Sequence, residues 1–306
     1  MSNRYLAGFI SATYNPLLVA NAPTIGTATA GDTSASVTFT APANVGGGAI
    51  TGYTVVSTPS GITGTGTSSP IVLTGLTNGT AYTFKVFANN AYGPSPLSAA
   101  SNSATPFVLA IGDAFGGGYY AGKISTSGGG VATHYLVVAD KSVGGAYGKT
   151  WGPVATTGFT SVIDGPANSA GLSALGSTYE AARFCENLNT GGYTDWYLPA
   201  LNEIITLYYF LKPSTNNNDN GSGSNANAVS PQPVSTNFTL SSPAQTSATN
   251  FRTGASSQEF ELETHWASTE FNDTRGRGTG FVTGDLSAPL KNTTSYYTRA
   301  VRRIAI

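Results

Sequence analysis

The feature that most constrains this chain is a long stretch, residues 23–106, with only two charged side chains, Asp32 and Lys85, and frequent turns. Ala35-Ser36-Val37-Thr38-Phe39 alternates in polarity, and Asn44-Val45-Gly46-Gly47-Gly48 interrupts it. Ile50 to Val56 alternates again, Ile71-Val72-Leu73 is a short apolar run, and Ala81 to Ala88 is the clearest period-two segment. Period two places successive side chains on opposite faces of a strand. Short strands at this spacing predict an antiparallel sandwich. Tyr82 follows the Asn78-Gly79 turn at the start of the penultimate strand, where a tyrosine corner sits.

The 306 residues suggest two or three domains, at about 100–200 residues each. Charged residues make up 9 % of the chain and the net charge is −1. That lacks the basic footprint by which a nucleic-acid binder displaces phosphate counterions. With Cys185 as the single cysteine, an intrachain disulfide and a multi-thiolate zinc site are both excluded. No apolar run reaches the roughly 20 residues that span a bilayer. Ser11, Thr13, Tyr14, Asn15 and Pro16 break the leading apolar run Leu6–Ile10, so no signal peptide is expected.

The sandwich region resembles a fibronectin type III domain through Pro23, Ile50-Thr51-Gly52-Tyr53, Leu76 to Tyr82, Asn90-Ala91-Tyr92-Gly93 and Ser103-Ala104-Thr105-Pro106. Phe39 stands where many members of that family carry Trp, and Gly93-Pro94-Ser95 lacks an Arg-Gly-Asp adhesion motif. The resemblance implies an all-β spacer over residues 23–106 with no ligand of its own.

Residues 107–306 hold all three tryptophans and most of the charge. His134 to Asp140 reads as a strand. Ala181, Phe184, Cys185 and Leu188 mark one face of a helix over 177–188, with Ser177 or Thr178 as its cap. Leu201, Ile204, Ile205, Tyr208 and Tyr209 mark a second helix that opens near Pro199 and stops at Pro213. Residues 214–257 form a polar run too long for an ordinary connection, which points to a functional or disordered segment. A final strand is expected from Tyr296 to Ile304.

This zone resembles the bacterial and phage family with a C-type-lectin-like fold known as the DUF1566 or Lcl C-terminal family. The matching pieces are His134 to Asp140, Trp151-Gly152, Ala181-Ala182 with Phe184-Cys185, Gly191 to Pro199 including Asp195-Trp196-Tyr197-Leu198-Pro199, Trp266-Ala267-Ser268-Thr269, and Arg299 to Ile304. The implied fold is α+β: two helices, a small antiparallel sheet and long loops on one side. The expected architecture is therefore multidomain, an all-β fibronectin III-like sandwich followed by an α+β C-type-lectin-like domain. The lead, residues 1–22, is similar to the opening of structural proteins in tailed phages, including those of cyanobacteria. That likeness implies a virion-docking segment with Arg4, Tyr5, Leu6, Phe9, Ile10 and Tyr14 as its contacts.

No catalytic constellation emerges. Cys185 lies on the apolar face of its helix and reads as core. His134 and His265 have no nucleophile or carboxylate at a recognisable spacing. Asp195 and Glu203 are expected to cap a helix or pair with arginine, and Arg299, Arg302 and Arg303 to be structural, at least one of them in an ion pair. No cofactor is expected, and Ca²⁺ is the sole candidate ion. Asn216-x-Asn218-x-Asn220-Gly221 imitates half of an EF-hand loop but has Asn227 in place of the closing Glu. Gln232-Pro233-Val234 and Phe271-Asn272-Asp273 each match only half of a lectin calcium motif.

The flexible, basic Arg275 to Gly280 segment suits bidentate capture of a carboxylate or an anionic glycan. The receptor-binding candidates are Phe251, Arg252, Phe271, Asn272, Asp273, Arg275, Arg277 and Thr279. Together these readings predict a phage virion or fibre protein that presents loops 214–257 and 270–280 to a host-surface glycan or protein. It would dock on other virion proteins through its lead, form a homo-oligomer such as a fibre trimer, and be released by lysis. The alternatives are a purely structural capsid-decoration, baseplate or tail component, and a polysaccharide depolymerase.

Overall fold

A computed structural model describes residues 19–254 and 257–306. The expected docking contacts Arg4, Tyr5, Leu6, Phe9, Ile10 and Tyr14 lie outside the described residues. The chain divides into two compact units, the first ending at Leu109 and the second running Ala110–Ile306.

The first unit contains β1 (Thr24–Gly31), β2 (Ser34–Thr40), β3 (Ile50–Thr58), β4 (Thr63–Gly66), β5 (Ile71–Thr74), β6 (Thr83–Asn90) and β7 (Gly93–Pro94). They form a three-stranded sheet, β1-β2-β5, and a four-stranded sheet, β4-β3-β6-β7. Every pairing is antiparallel. The period-two pattern delivers Val37, Val55, Leu73, Phe84, Val86 and Ala88 to the core, all fully buried. Phe39 packs on Tyr53 with ring centroids 4.7 Å apart. The Tyr82 hydroxyl accepts the Thr77 N–H at 3.1 Å, closing the expected tyrosine corner. Ala20, assigned to the lead from sequence, belongs to this core instead, and the adjacent Asn21 N–H donates to the Asn44 carbonyl at 3.0 Å.

The far edge of β6 is completed by serines in place of a regular strand. Ser95, Ser98 and Ser101 donate their backbone N–H groups to the carbonyls of Ala88, Val86 and Phe84. Their hydroxyls accept the N–H groups of the same three residues, each at 3.0 Å. A three-residue serine spacing thus matches the two-residue spacing of a strand edge, and no buried donor on β6 is orphaned there.

The second unit contains β8 (Ala114–Phe115), β9 (Gly118–Ile124), β10 (His134–Val138), α1 (Lys141–Gly144), β11 (Gly145–Tyr147), α2 (Gly165–Ala174), α3 (Glu180–Glu186), α4 (Leu201–Leu211), β12 (Thr264–Glu270), β13 (Gly276–Gly280), β14 (Leu286–Ser287), β15 (Tyr297–Arg299) and β16 (Val301–Ala305). The sheets run β16-β10-β9-β8 and β11-β15-β12-β13-β14. The closing strand expected from Tyr296 to Ile304 is broken at Ala300. Its first half pairs with β11 and its second with β10. Ala300 bridges the break, donating to the Gly144 carbonyl and accepting from the Ala139 N–H. One short segment therefore ties both sheets together.

The helices differ from expectation in two respects. α3 is shorter than the predicted 177–188 and begins after Tyr179, which makes no side-chain cap bond, so neither Ser177 nor Thr178 caps it. α2 was not foreseen. Its buried face is Gly165, Asn168, Ser169 and Leu172, too small and polar to show an apolar stripe, although the Asp164 N-cap and Pro166 in the first turn mark its start. α4 follows the predicted pattern, burying Leu201, Ile204, Ile205 and Tyr208. Trp151, Trp196, Trp266 and Cys185 are core, as expected. Burial pushes the Cys185 thiol well above its ordinary value, which leaves it protonated and unreactive.

Ser98→Ala would strip the buried Val86 N–H of its acceptor. It is expected to destabilise the first unit by about 1–3 kcal/mol. Far-UV circular dichroism in denaturant should show an earlier transition. Tryptophan fluorescence should not move, because all three tryptophans lie in the second unit.

Candidate functional site

The charged residues of the second unit are mostly engaged in holding it together. Arg302 forms a bidentate pair with Asp195, at 2.8 and 2.9 Å, and donates to the Gly116 carbonyl at 2.7 Å. Its guanidinium lies 3.7 Å from the Tyr193 ring centroid. Glu203 accepts from Arg303 Nε at 2.7 Å, from the Ala200 N–H at 2.7 Å and from the Tyr197 hydroxyl. It reaches back to the start of its own helix, where Gly165 packs so closely that a Cβ there would stand 2.1 Å from the carboxylate. Arg299 donates to the Ala139 carbonyl at 2.9 Å and to Gln258. The expectation that Asp195 and Glu203 pair with arginine, and that at least one arginine of the closing strand sits in an ion pair, holds.

A second buried pair lies beneath the β12–β13 hairpin. Lys291, fully buried, donates to Glu270 at 2.5 Å and to the Ala155 carbonyl at 2.6 Å. Glu270 also accepts the N–H groups of Thr157 and Gly158. Burial pushes the Glu270 carboxyl up, but the Lys291 ammonium and the two N–H groups pull harder, and the net shift is downward.

The receptor-binding candidates separate into three groups. Phe251 is fully buried, edge-on to Tyr119 with centroids 5.6 Å apart, and cannot meet a receptor. Thr279 is fully buried within β13 and is likewise removed from the surface. Sequence reasoning treated both as loop residues, whereas apolar contacts and sheet pairing draw them inward. Arg252 is half-buried, with Nε donating to the Thr246 carbonyl at 2.8 Å. Phe271, Asn272, Asp273 and Arg275 do come together, exposed at the tip of the β12–β13 hairpin. Arg277 lies half-buried behind them, its guanidinium 4.2 Å from the Phe271 ring centroid. Asn272 shapes the tip, its Oδ1 accepting the N–H groups of Thr274 at 3.0 Å and Arg275 at 2.8 Å.

The 214–257 segment is not a free loop. Asn225 donates to the Asn202 carbonyl at 2.9 Å, Asn202 to Asn227 at 2.7 Å, and Asn227 to the Ser125 carbonyl at 2.7 Å. Asn218 donates to the carbonyls of Thr239 and Pro243, both at 2.9 Å, and accepts the Tyr208 hydroxyl at 2.7 Å. The half EF-hand motif thus folds with the Asn218 amide turned into the protein. Asp219 bonds the Ser222 hydroxyl and the Gly221 N–H. Among the described residues, no group of three or more His, Cys, Asp or Glu could hold a metal. Between these anchors Asn216, Asn217, Ser224, Pro233 to Asn237 and Thr239 to Ser242 remain exposed.

Several depressions open on this unit, and two of them bear on the site. A cleft of about 210 Å³ is lined by Tyr209, Gly223, Gln232, Pro233, Thr236, Asn237, Phe238, Thr239 and Ser242. A wider groove of about 380 Å³ is lined by Lys141, Ser142, Tyr147, Glu261 and Tyr297 among others. The exposed Tyr147 ring packs on Tyr297 with centroids 4.8 Å apart. Glu261 pairs with Lys141 at 3.0 Å and with His265 at 3.4 Å. Although burial opposes it, hydrogen bonds from His265 and Lys141 bring the Glu261 carboxyl down to about 2. A carboxyl held so low is ionised at neutral pH. Sequence reasoning missed Tyr147, and noted Gln232 only as part of a half-matched lectin calcium motif. Tyr147 sits in a glycine-rich run, and Gln232 in a polar one, where no periodicity singles either out.

The first unit answers to a known family. Residues 21–104 match the Fibronectin type III domain. The chain is mostly β outside its helices, and the first unit is a fibronectin III-like sandwich. Similar solved structures include titin kinase with its flanking domains, at 29 % identity and TM-score 0.25, where the match covers 28 % of this chain and 17 % of that one. The twitchin kinase region from C. elegans matches at 21 % identity and TM-score 0.27, covering 29 % and 17 %. A beta-1,2-glucanase from Parabacteroides distasonis matches at 22 % identity and TM-score 0.22, covering 29 % and 13 %. This chain thus spans less than a fifth of each of those proteins. No curated protein matches it.

Removing one partner of the buried Glu270–Lys291 pair leaves an uncompensated charge. Lys291→Met is expected to cost the second unit about 3–5 kcal/mol, read from tryptophan fluorescence in denaturant. Because the folded carboxyl of Glu270 lies below its unfolded value of about 4.3, its stabilising contribution is complete above that pH and fades as the pH falls through the folded value. Glu270→Gln should flatten this acid limb of the stability profile.

Proposed function

We propose that this chain is an attachment protein of a bacteriophage particle, with residues 107–306 forming a C-type-lectin-like display domain on a fibronectin III-like spacer. One observation carries the reading. Residues 214–254 are pinned by buried amide hydrogen bonds, while the stretches between the pins stay exposed and nearly uncharged. A surface of rigid, neutral polar loops suits recognition of a partner with many hydroxyl or amide groups. Its ordering cost is met during folding and not on contact. The Phe271-Asn272-Asp273-Arg275 hairpin tip adds a second exposed patch, aromatic and charged.

The phage setting rests on the similarity of residues 1–22 to virion structural proteins. In that setting the lead would dock on other virion proteins, and several copies, for instance a trimer, would multiply weak single contacts. Release by lysis would take the protein to the outside of cells. A purely structural role in the capsid, baseplate or tail predicts no binding to any host surface.

Labelled full-length chain should bind the envelope of susceptible cells saturably. The Phe271→Ala, Arg275→Ala double variant should bind about tenfold more weakly, as loss of an interface anchor does, with unchanged thermal unfolding. Absence of binding to every susceptible envelope would favour the structural role. Release of reducing sugar from the envelope would instead favour a depolymerase.

A further inference from the structure

One residue that lines the cleft inside the 214–257 segment carries an unanswered polar atom. Gln232 is only 2 % exposed. Its Oε1 lies 3.1 Å from the Thr206 hydroxyl, and its Nε2 is buried without a partner. Thr206 itself is saturated. Its hydroxyl donates to the Asn202 carbonyl at 3.0 Å and accepts from Asn225 at 3.1 Å. With its single proton given to Asn202, that hydroxyl can only accept again, which favours the amide turned round, with Nε2 on Thr206 and Oε1 free. In either orientation one atom of the Gln232 amide has no protein partner, and a buried unsatisfied group is costly.

Gln232 lines the cleft with two aromatic rings and a rim of exposed Thr236, Asn237, Thr239 and Ser242. Phe238 is held in place because Gly223, at φ +97°, has no Cβ; one built there would stand 2.4 Å from the ring. Tyr209 is fixed by its hydroxyl, which donates to the Pro231 carbonyl at 2.9 Å. No lining residue carries a charge, so neither an anion nor a cation would find a counter-charge. The occupant must therefore be neutral, offer a hydroxyl that can donate or accept, and present an apolar face to aromatic rings. A volume of about 210 Å³ falls below the roughly 300–1,000 Å³ of drug-sized pockets, which limits the occupant to one ring.

We propose that the Tyr209–Gln232–Phe238 cleft binds one neutral monosaccharide unit of a surface glycan, a sugar hydroxyl completing the Gln232 amide. This proposal rests on the attachment reading above and names its ligand class. Saturation-transfer NMR on the full chain should detect methyl glycosides of glucose, galactose or mannose, or N-acetylglucosamine, binding in the millimolar range, with glucuronic and N-acetylneuraminic acids binding more weakly.

Thr236→Trp, which fills the cleft from its exposed rim, and Gln232→Met, which removes the amide, should each weaken that binding about tenfold or more. The rim variant keeps the test valid if Gln232→Met fails to fold. No binding of any neutral saccharide, equal or stronger binding of the acidic sugars, or binding indifferent to Thr236→Trp would overturn the proposal. Envelope binding that survives Thr236→Trp would remove the cleft and leave the attachment reading standing, whereas a chain that binds no envelope at all would remove both.

Discussion

Side-chain amides and hydroxyls bonding to buried backbone groups are the interaction on which the rest of this structure depends. A chain with so few charges must satisfy its irregular segments with Asn, Gln, Ser and Thr. In the first unit three serines stand in for a strand edge by answering the donors and acceptors of β6. In the second, Asn202, Asn218, Asn225 and Asn227 bond to backbone carbonyls and to one another, and so hold a long segment that has almost no regular structure of its own. Removing any one of them leaves a buried polar atom unpaired, so the network acts as a unit.

The few charges are concentrated where this neutral network cannot bridge elements. Arg302 with Asp195, Arg303 with Glu203, and Lys291 with Glu270 each join segments far apart in the chain. Two of these pairs involve the short closing strand, which passes from one sheet to the other at Ala300 and so fixes the sheets of the second unit to each other. The cleft at Tyr209, Gln232 and Phe238 is by contrast lined wholly by uncharged residues, whereas the groove beside Tyr147 keeps Lys141 and Glu261 in its lining.

Legibility followed periodicity. Strands with clean alternation, such as Ala81 to Ala88, and the α4 pattern from Leu201 to Tyr208 were readable because one face had to be apolar. The tyrosine corner, the tryptophan core and the pairing of Asp195 and Glu203 with arginines were readable too, because local motifs placed them. α2 escaped because Leu172 is the one large apolar residue on a buried face otherwise made of glycine, asparagine and serine, which gives no apolar stripe. Phe251 and Thr279 were misplaced for a related reason: composition marks a segment as loop-like but says nothing about which of its side chains turn inward.

What the sequence determined by itself is the sandwich, the main helices and the scarcity of charge, all of which are local patterns or counts. Only tertiary structure decided that 214–254 is pinned in place, that the closing strand divides between two sheets, and that one amide atom of Gln232, a residue lining a cleft, is left unanswered. Each of those depends on which donor meets which acceptor across tens of residues. A hydrogen bond leaves no periodic trace along the chain, so that matching becomes visible only once the chain is folded.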